Sequence, residues 1–171
     1  MFALIKLIQS LFGALHSEGT PGQLAAGIVL GSFLGLTPLF NIHNAVIFAA
    51  LVLLNVSFAG GMLGWALFVP IGFLLDPLFD WIGHSLLLAP SLRGLWTSLY
   101  NTPIVPLTNF NNTVVLGSLV FALLFSVPLF FVTRLGVIRY RATIGERVRQ
   151  TKWYRAVMAS KVYNVYRMFQ P

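Results

Sequence analysis

Three ionisable side chains, Asp76, Asp80 and His84, are spaced four residues apart and would share one face of a helix. Two carboxylates and an imidazole in that arrangement could bind a metal ion or relay a proton. Pro77 favours a different interpretation, in which Asp76 caps a helix and proline occupies its first position. Asp80 and His84 would then lie near a membrane boundary. Such pairs are common on helices by chance, so we expect no metal site and no cofactor.

A second polar group, Asn41, His43 and Asn44, follows Pro38 within an apolar stretch. These side chains could bond to backbone groups that Pro38 leaves without partners, which is the interpretation we favour. The alternative is a polar site for a substrate or a proton inside the membrane. Asn55, which ends the same apolar stretch, has the same two interpretations. No paired nucleophile and base is recognisable, so we expect no catalytic residues and no enzyme.

The composition indicates a membrane protein. Of the 171 residues, 57% are hydrophobic and 9% are charged, whereas soluble domains are about 25% charged. No Lys, Arg, Asp or Glu occurs between Glu18 and Asp76, or between Arg93 and Arg134. A membrane-crossing helix needs roughly 20 apolar residues, and both stretches are longer than that. The chain has no cysteine, which excludes disulfides and thiolate metal sites.

These patterns predict an all-α fold, a polytopic helical membrane protein with short helices broken by Gly and Pro. Residues 1–17 are expected to form an amphipathic helix in the membrane interface. Residues 18–133 would form the helical membrane domain, and residues 134–171 a basic, amphipathic cytoplasmic tail. The membrane domain divides into a hairpin over 24–54, a span over 56–75, an external segment over 76–112 and a second span over 113–133.

Glycine and proline shape the predicted hairpin. Gly27, Gly31 and Gly35 are four residues apart, which predicts one helix face suited to close packing. The helix should end at Thr37 and Pro38. The arms on either side are about 13 and 10 residues long, or roughly 20 and 15 Å of helix. The hairpin is therefore either re-entrant or a pair of short spans.

Further breaks are expected after the hairpin. Pro70 predicts a kink in the first span, and a new helix is expected to run from Asp76 to about Ala89. Arg93 to Asn112 is rich in Thr, Asn and Pro, which is typical of an exposed connection.

The basic residues are concentrated at the end of the chain, whose net charge is +7. Lys and Arg accumulate on the cytoplasmic side of membranes, so the tail and, by the parity of the crossings, both termini should be cytoplasmic. We expect the tail to contact anionic lipids, with an acidic protein partner as the alternative and no nucleic acid. The residues expected at the lipid surface are Arg139, Arg141, Arg147, Arg149, Lys152 and Arg155.

One run of residues carries a family resemblance. The sequence GIVLGSFLGLTPLFNIHNAVIFAALVLLN spans Gly27 to Asn55, and Val69-Pro70 follows. It contains a Gly-x-x-Pro turn from Gly35 to Pro38 and an Asn closing the next arm. This order resembles the bacterial domain of unknown function 2062 family over roughly Gly22 to Leu88.

The chain departs from that family at two places. Family members usually have a glycine shortly after the first proline, where this chain has Asn41, and often Asn-Pro where it has Val69-Pro70. The resemblance implies a small bacterial inner-membrane protein of uncharacterised activity.

The sequence therefore predicts a non-enzymatic subunit or scaffold partner of a cell-envelope complex in the bacterial inner membrane. Its glycine face would pack against a second copy or a membrane protein partner. The alternative is a small transporter or lipid-handling protein, with polar re-entrant residues from Pro38 to Asn44 lining a path.

Overall fold

A computed structural model describes residues 19–143, and this part of the chain is helical without any strand. Five α-helices follow one another: α1 Pro21–Leu36, α2 Ile42–Leu53, α3 Phe58–Leu87, α4 Arg93–Tyr100 and α5 Thr113–Thr143. Short 3-10 helices, Pro90–Leu92 and Val105–Thr108, flank α4. The prediction of an all-α fold is confirmed for these residues. The interfacial helix expected over 1–17 and the tail beyond residue 143 lie outside the described residues.

Local sequence explains both ends of α1. The Thr20 hydroxyl accepts a hydrogen bond from the Gln23 amide, and the Gln23 side chain accepts one from the Thr20 amide. This capping box, with Pro21 at the first position, satisfies amide groups that a helix start leaves free. The helix ends at Leu36 because Thr37 precedes Pro38 and adopts an extended conformation. The predicted break is therefore confirmed.

Helices α1 and α3 run parallel, backbone against backbone. A Cβ on Gly27 would lie 2.2 Å from the Ser57 carbonyl oxygen, and one on Gly64 would lie 2.4 Å from the Ile28 carbonyl oxygen. At the other end of α1, a Cβ on Gly72 would lie 2.6 Å from the Gly35 carbonyl oxygen. Only glycine permits such an approach. The glycine face of α1 is thus covered by α3 of the same chain.

Helix α5 runs antiparallel to α3. Its Val137 is buried in a cluster with Leu24, Ile28, Ala59 and Leu63 near the starts of α1 and α3. At the opposite end, a Cβ on Gly83 of α3 would lie 1.9 Å from the Thr113 carbonyl oxygen. Three helices, α1, α3 and α5, therefore form the core of the described fold.

A chain of phenylalanine rings joins α3 to the middle of α5. The ring centroids of Phe79 and Phe121 are 5.3 Å apart, those of Phe121 and Phe125 are 5.6 Å apart, and those of Phe125 and Phe68 are 6.0 Å apart. Such offset and edge contacts add to the stabilisation from burial alone. Phe79, at one end of this chain of rings, is fully buried.

The helix expected to begin at Asp76 does not form separately. Helix α3 continues without interruption from Phe58 to Leu87, with Pro70 and Pro77 inside it. Proline removes one backbone donor, but the contacts of Phe79 and Gly83 with α5 hold the chain helical beyond it. Asp76 is therefore not an N-cap.

Two other boundaries differ from the expected ones. The connection expected from Arg93 to Asn112 contains helix α4, although none of the residues in α4 is buried. Helix α5 continues past residue 133 to Thr143, so Arg134 belongs to a helix rather than to a separate tail. Helical propagation through a few charged residues costs little.

Candidate functional site at the hairpin tip

The turn between α1 and α2, residues 37–41, is held together by side chains of its own sequence neighbours. Thr37 is buried and donates its hydroxyl to the Asn44 side-chain oxygen at 2.7 Å. Asn44 is also buried, and its amide donates to the carbonyl oxygens of Pro38 at 2.8 Å and Leu39 at 3.3 Å. These bonds satisfy backbone acceptors that the turn frees. We call residues 37–44 the hairpin tip.

Asn41 links the hairpin tip to a distant part of the chain. Its amide donates to the Pro38 carbonyl oxygen at 2.8 Å. Its side-chain oxygen accepts a hydrogen bond of 2.7 Å from the side-chain amide of Asn109. Asn109 follows Val105–Thr108 and adopts a left-handed backbone conformation. The hairpin tip therefore meets the connection between α4 and α5.

His43 differs from its neighbours at the hairpin tip. Its Nε2 atom is buried and has no hydrogen-bond partner among the described residues. The backbone-satisfying role expected for the group is therefore performed by Asn41 and Asn44 and not by His43. A buried imidazole nitrogen without a partner is costly, and such groups occur often at functional positions.

Asn55 lies at the opposite end of the hairpin from the tip. Its side chain is exposed and accepts a hydrogen bond of 2.7 Å from the Gln23 amide. The backbone amide of Ser57 donates to the Gln23 carbonyl oxygen at 3.0 Å. The end of α2 is thereby tied to the start of α1, which closes the hairpin.

The acidic face of α3 is also placed by the structure. Asp80 is exposed and accepts a hydrogen bond from the hydroxyl of Thr113, the first residue of α5. His84 is exposed one turn further along α3. Among residues 19–143, no three His, Asp or Glu side chains are grouped closely enough to hold a metal ion.

The basic residues are only partly placed. Arg139 is exposed on α5, and Arg141 donates to the Gly19 carbonyl oxygen at 2.9 Å, beside the start of α1. Arg147, Arg149, Lys152 and Arg155 lie outside the described residues.

A shallow cavity at the far end of α3 has no counterpart in the sequence-based predictions. Trp96 of α4 donates its indole N–H to the Leu86 carbonyl oxygen at 2.9 Å, and its ring stacks on Phe110. Together they form the base of an open cavity of about 290 Å³, which is also lined by Leu87, Thr97, Tyr100, Asn101 and Asn111. The sequence carries a signal for this cavity, because apolar residues recur at helical spacing in α4 and Trp96 lies on that apolar face.

Comparison with protein families identifies the chain. The model of the family described as uncharacterized protein conserved in bacteria, DUF2062, matches residues 7–144. The chain belongs to this family. The match extends beyond the resemblance noted over Gly22 to Leu88, and it ends one residue after α5.

One relative is similar to most of the chain. An uncharacterized protein of Treponema pallidum (strain Nichols) is 29% identical over 148 residues, covering 85% of this chain and 90% of the relative. No solved structure matches the chain.

Within residues 19–143 of this family member, two helices are long and apolar enough to cross a membrane, α3 with 30 residues and α5 with 31. Only 33% and 28% of their most apolar stretches are buried against the rest of the chain. A core helix of a soluble protein would be mostly buried, so these exposed apolar faces indicate association with a membrane.

Proposed function

We propose that this protein is a non-enzymatic, multi-pass subunit of a cell-envelope complex in the bacterial inner membrane. In this proposal α3 and α5 cross the bilayer, and α1 and α2 form a re-entrant hairpin. The exposed apolar faces of α3 and α5 support the crossing. Several large apolar side chains on these faces are mostly exposed, namely Phe73 and Leu74 on α3 and Leu124 and Val132 on α5. Hydrocarbon is the solvent that such side chains favour.

The depth of the hairpin tip supports re-entrance. A stretch of roughly 20 residues, wherever it is placed between Phe58 and Leu87, contains Gly72. Gly72 packs on Gly35, one residue before α1 ends. The chain therefore turns at a level inside the hydrocarbon, and α2 returns to the side where α1 began. Exposed backbone there is tolerated because Asn41 and Asn44 bond to it.

The packing of the bundle supports a subunit more than a conduit. Helices α1, α3 and α5 touch through backbone at Gly27, Gly31, Gly83 and Gly117, which leaves little room for a solute between them. Since the glycine face is covered within the chain, a partner would have to bind elsewhere. The outer face of α2, with Val46, Phe48 and Val52 exposed, is an apolar surface that the rest of residues 19–143 leaves available for such a partner or for lipid.

The orientation follows from the basic residues. Arg134, Arg139 and Arg141 lie in the last part of α5, at the end of the bundle where α1 begins. Because Lys and Arg accumulate on the cytoplasmic side of membranes, that end of the bundle and the tail that follows it would lie in the cytoplasm. Reporter enzymes fused after Thr143 and after Asn101 should then report cytoplasm and periplasm, respectively. The opposite result would invert the topology.

Thiol labelling of the cysteine-free chain tests the re-entrant hairpin. Phe40 at the hairpin tip is 98% exposed, so Phe40→Cys should preserve the fold. In intact cells, a membrane-impermeant thiol reagent should fail to label this cysteine, whereas Asn101→Cys in the far connection should be labelled. Detergent should make Phe40→Cys reactive. Labelling of Phe40→Cys in intact cells would show that the hairpin crosses the bilayer fully.

The unpartnered imidazole nitrogen of His43 favours a second candidate, a small transporter or lipid-handling protein. In that case the hairpin tip and Asn109 would line a polar path through the outer half of the bilayer. Asn41→Cys would then react with a small, water-soluble thiol reagent in intact cells, while Phe40→Cys would stay protected. Protection at both positions would exclude the polar path.

A further inference from the structure

The connection between α3 and α5, residues 88–112, has an unusual composition for a loop in water. Between Asp80 and Arg134 the only residue of the Lys, Arg, Asp and Glu types is Arg93. The connection nevertheless exposes large apolar side chains, with Leu88 67%, Ile104 70% and Leu107 63% exposed. The surface of a soluble protein rarely combines so little charge with so many exposed apolar side chains.

Helix α4 concentrates this pattern on one face. An apolar stripe with i, i+3, i+4, i+7 spacing begins just before α4 and consists of Leu92, Leu95, Trp96 and Leu99. Thr97 and Ser98 lie outside this stripe. None of the α4 residues is buried, and Leu95 is 50% exposed. Leu92, Trp96 and Leu99 are partly covered by the described part of the chain, which leaves Leu95 as the exposed residue of the stripe.

The position of α4 determines what could cover the stripe. The indole N–H of Trp96 bonds to the Leu86 carbonyl oxygen, which ties α4 to the last turn of α3. Asp80 and His84 precede that turn and are exposed, so the hydrocarbon is expected to end near them and the last turn to lie among lipid headgroups. Trp81, Trp96 and Tyr100 lie in this zone, and Trp and Tyr concentrate at that level of membrane proteins.

We propose that residues 88–100 lie in the lipid interface at the far end of the bundle, with Leu88 and Leu95 inserted at the boundary between headgroups and acyl chains. The occupant of this surface is lipid, because Leu88 and Leu95 follow along the chain on exposed apolar side chains of α3, among them Trp81. This inference rests on the proposed crossing of α3 and α5. It refines the expectation of an exposed external connection.

Spin-label depth measurements on the full chain test the inference. Single cysteines are introduced at Leu95 on the stripe, at Thr97 on the opposite face of α4 as the matched control, and at Leu124 on α5 as the reference for the membrane crossing. The labelled proteins are reconstituted into vesicles of phosphatidylethanolamine and phosphatidylglycerol. Oxygen, which partitions into lipid, and a nickel chelate, which stays in water, are compared as collision partners of the label.

The expected result is several-fold more frequent collision with oxygen than with nickel at Leu95→Cys, and the reverse at Thr97→Cys. Nickel access at Leu95→Cys with oxygen access at Leu124→Cys would overturn the interfacial placement and leave the crossing intact. Nickel access at Leu124→Cys would overturn the crossing itself. Protection of Leu95→Cys from both reagents would show that protein covers the stripe, which would also overturn the proposal.

Discussion

Gly31 and Gly61 lie backbone against backbone where α1 packs on α3, so that a Cβ on Gly31 would be 1.9 Å from the Gly61 carbonyl oxygen. The same Cβ would be 2.8 Å from the Trp65 backbone nitrogen. Neither obstacle is a flexible side chain. The separation of α1 and α3 at this point is therefore set by glycine.

Gly31→Ala should consequently destabilise the fold. The added methyl group must push two backbones apart, and overpacking of this kind costs about 1–3 kcal/mol. The variant should unfold at a lower temperature in detergent, as measured by gel filtration of heated samples. Gly31→Leu should be worse, because its side chain is larger.

Gly136→Ala is the matched control for this prediction. Gly136 also lies in a helix, but a Cβ there would meet no other atom within 4 Å. Alanine should be neutral or stabilise α5 by about 0.5–1 kcal/mol, since glycine is a poor helix former. Equal losses for Gly31→Ala and Gly136→Ala would contradict the close packing of α1 on α3.

Asn44 is the second position where a single change should have a large effect. Asn44→Leu removes the acceptor for Thr37 and the donor to Pro38, although Thr37 keeps Phe33 and Pro38 keeps Asn41 as partners. The net contribution of each lost hydrogen bond is about 0.5–1.5 kcal/mol. We expect a marked loss of thermal stability in detergent, because the turn between α1 and α2 loses its internal bonds.

Asn101→Leu is the comparison for Asn44→Leu. Asn101 is exposed after α4, so its replacement should leave the unfolding temperature nearly unchanged. If Asn44→Leu were as stable as Asn101→Leu, the hydrogen bonds of the hairpin tip would contribute nothing to the fold.

Local sequence patterns predicted the parts of this structure that depend on neighbours along the chain. The break at Thr37 and Pro38 is correct because proline restricts the residue before it. The start of α1 is encoded locally as well, in the capping box of Thr20 and Gln23 with Pro21, which precedes the hairpin predicted over 24–54. The glycine spacing indicated a close helix contact, but spacing alone cannot say which helix makes it.

Tertiary contacts determined the features that sequence patterns missed. Asp76 and Pro77 match the start of a helix, yet packing of Phe79 and Gly83 on α5 keeps α3 continuous through them. The bond between Asn41 and Asn109 joins residues 68 positions apart. No local preference encodes such a pairing, because it depends on how the connection folds back onto the hairpin tip.

Ile104 provides a prediction about backbone strain. Its φ angle is 75°, a conformation that β-branched residues rarely adopt and that glycine adopts freely. Ile104→Gly should therefore stabilise the connection by about 1 kcal/mol. Leu107→Gly, in the same connection but without a positive φ, should give a small loss instead. The two unfolding temperatures in detergent would be compared, and a loss in both variants would indicate that Ile104 is not strained.

The bond between Asn41 and Asn109 predicts a specific cross-link. The Asn41 side-chain oxygen lies 2.7 Å from the Asn109 amide nitrogen, and the chain contains no other cysteine to compete. A variant with cysteine at both positions should be joined by a short bifunctional thiol reagent, which is detected as a faster-migrating band under denaturing conditions. The pair Asn41→Cys and Asn101→Cys serves as the control. If the control pair were joined efficiently, or if the Asn41 and Asn109 pair were not joined at all, the connection would not fold onto the hairpin tip as described. A polar path lined by the hairpin tip and Asn109 would then lose its basis.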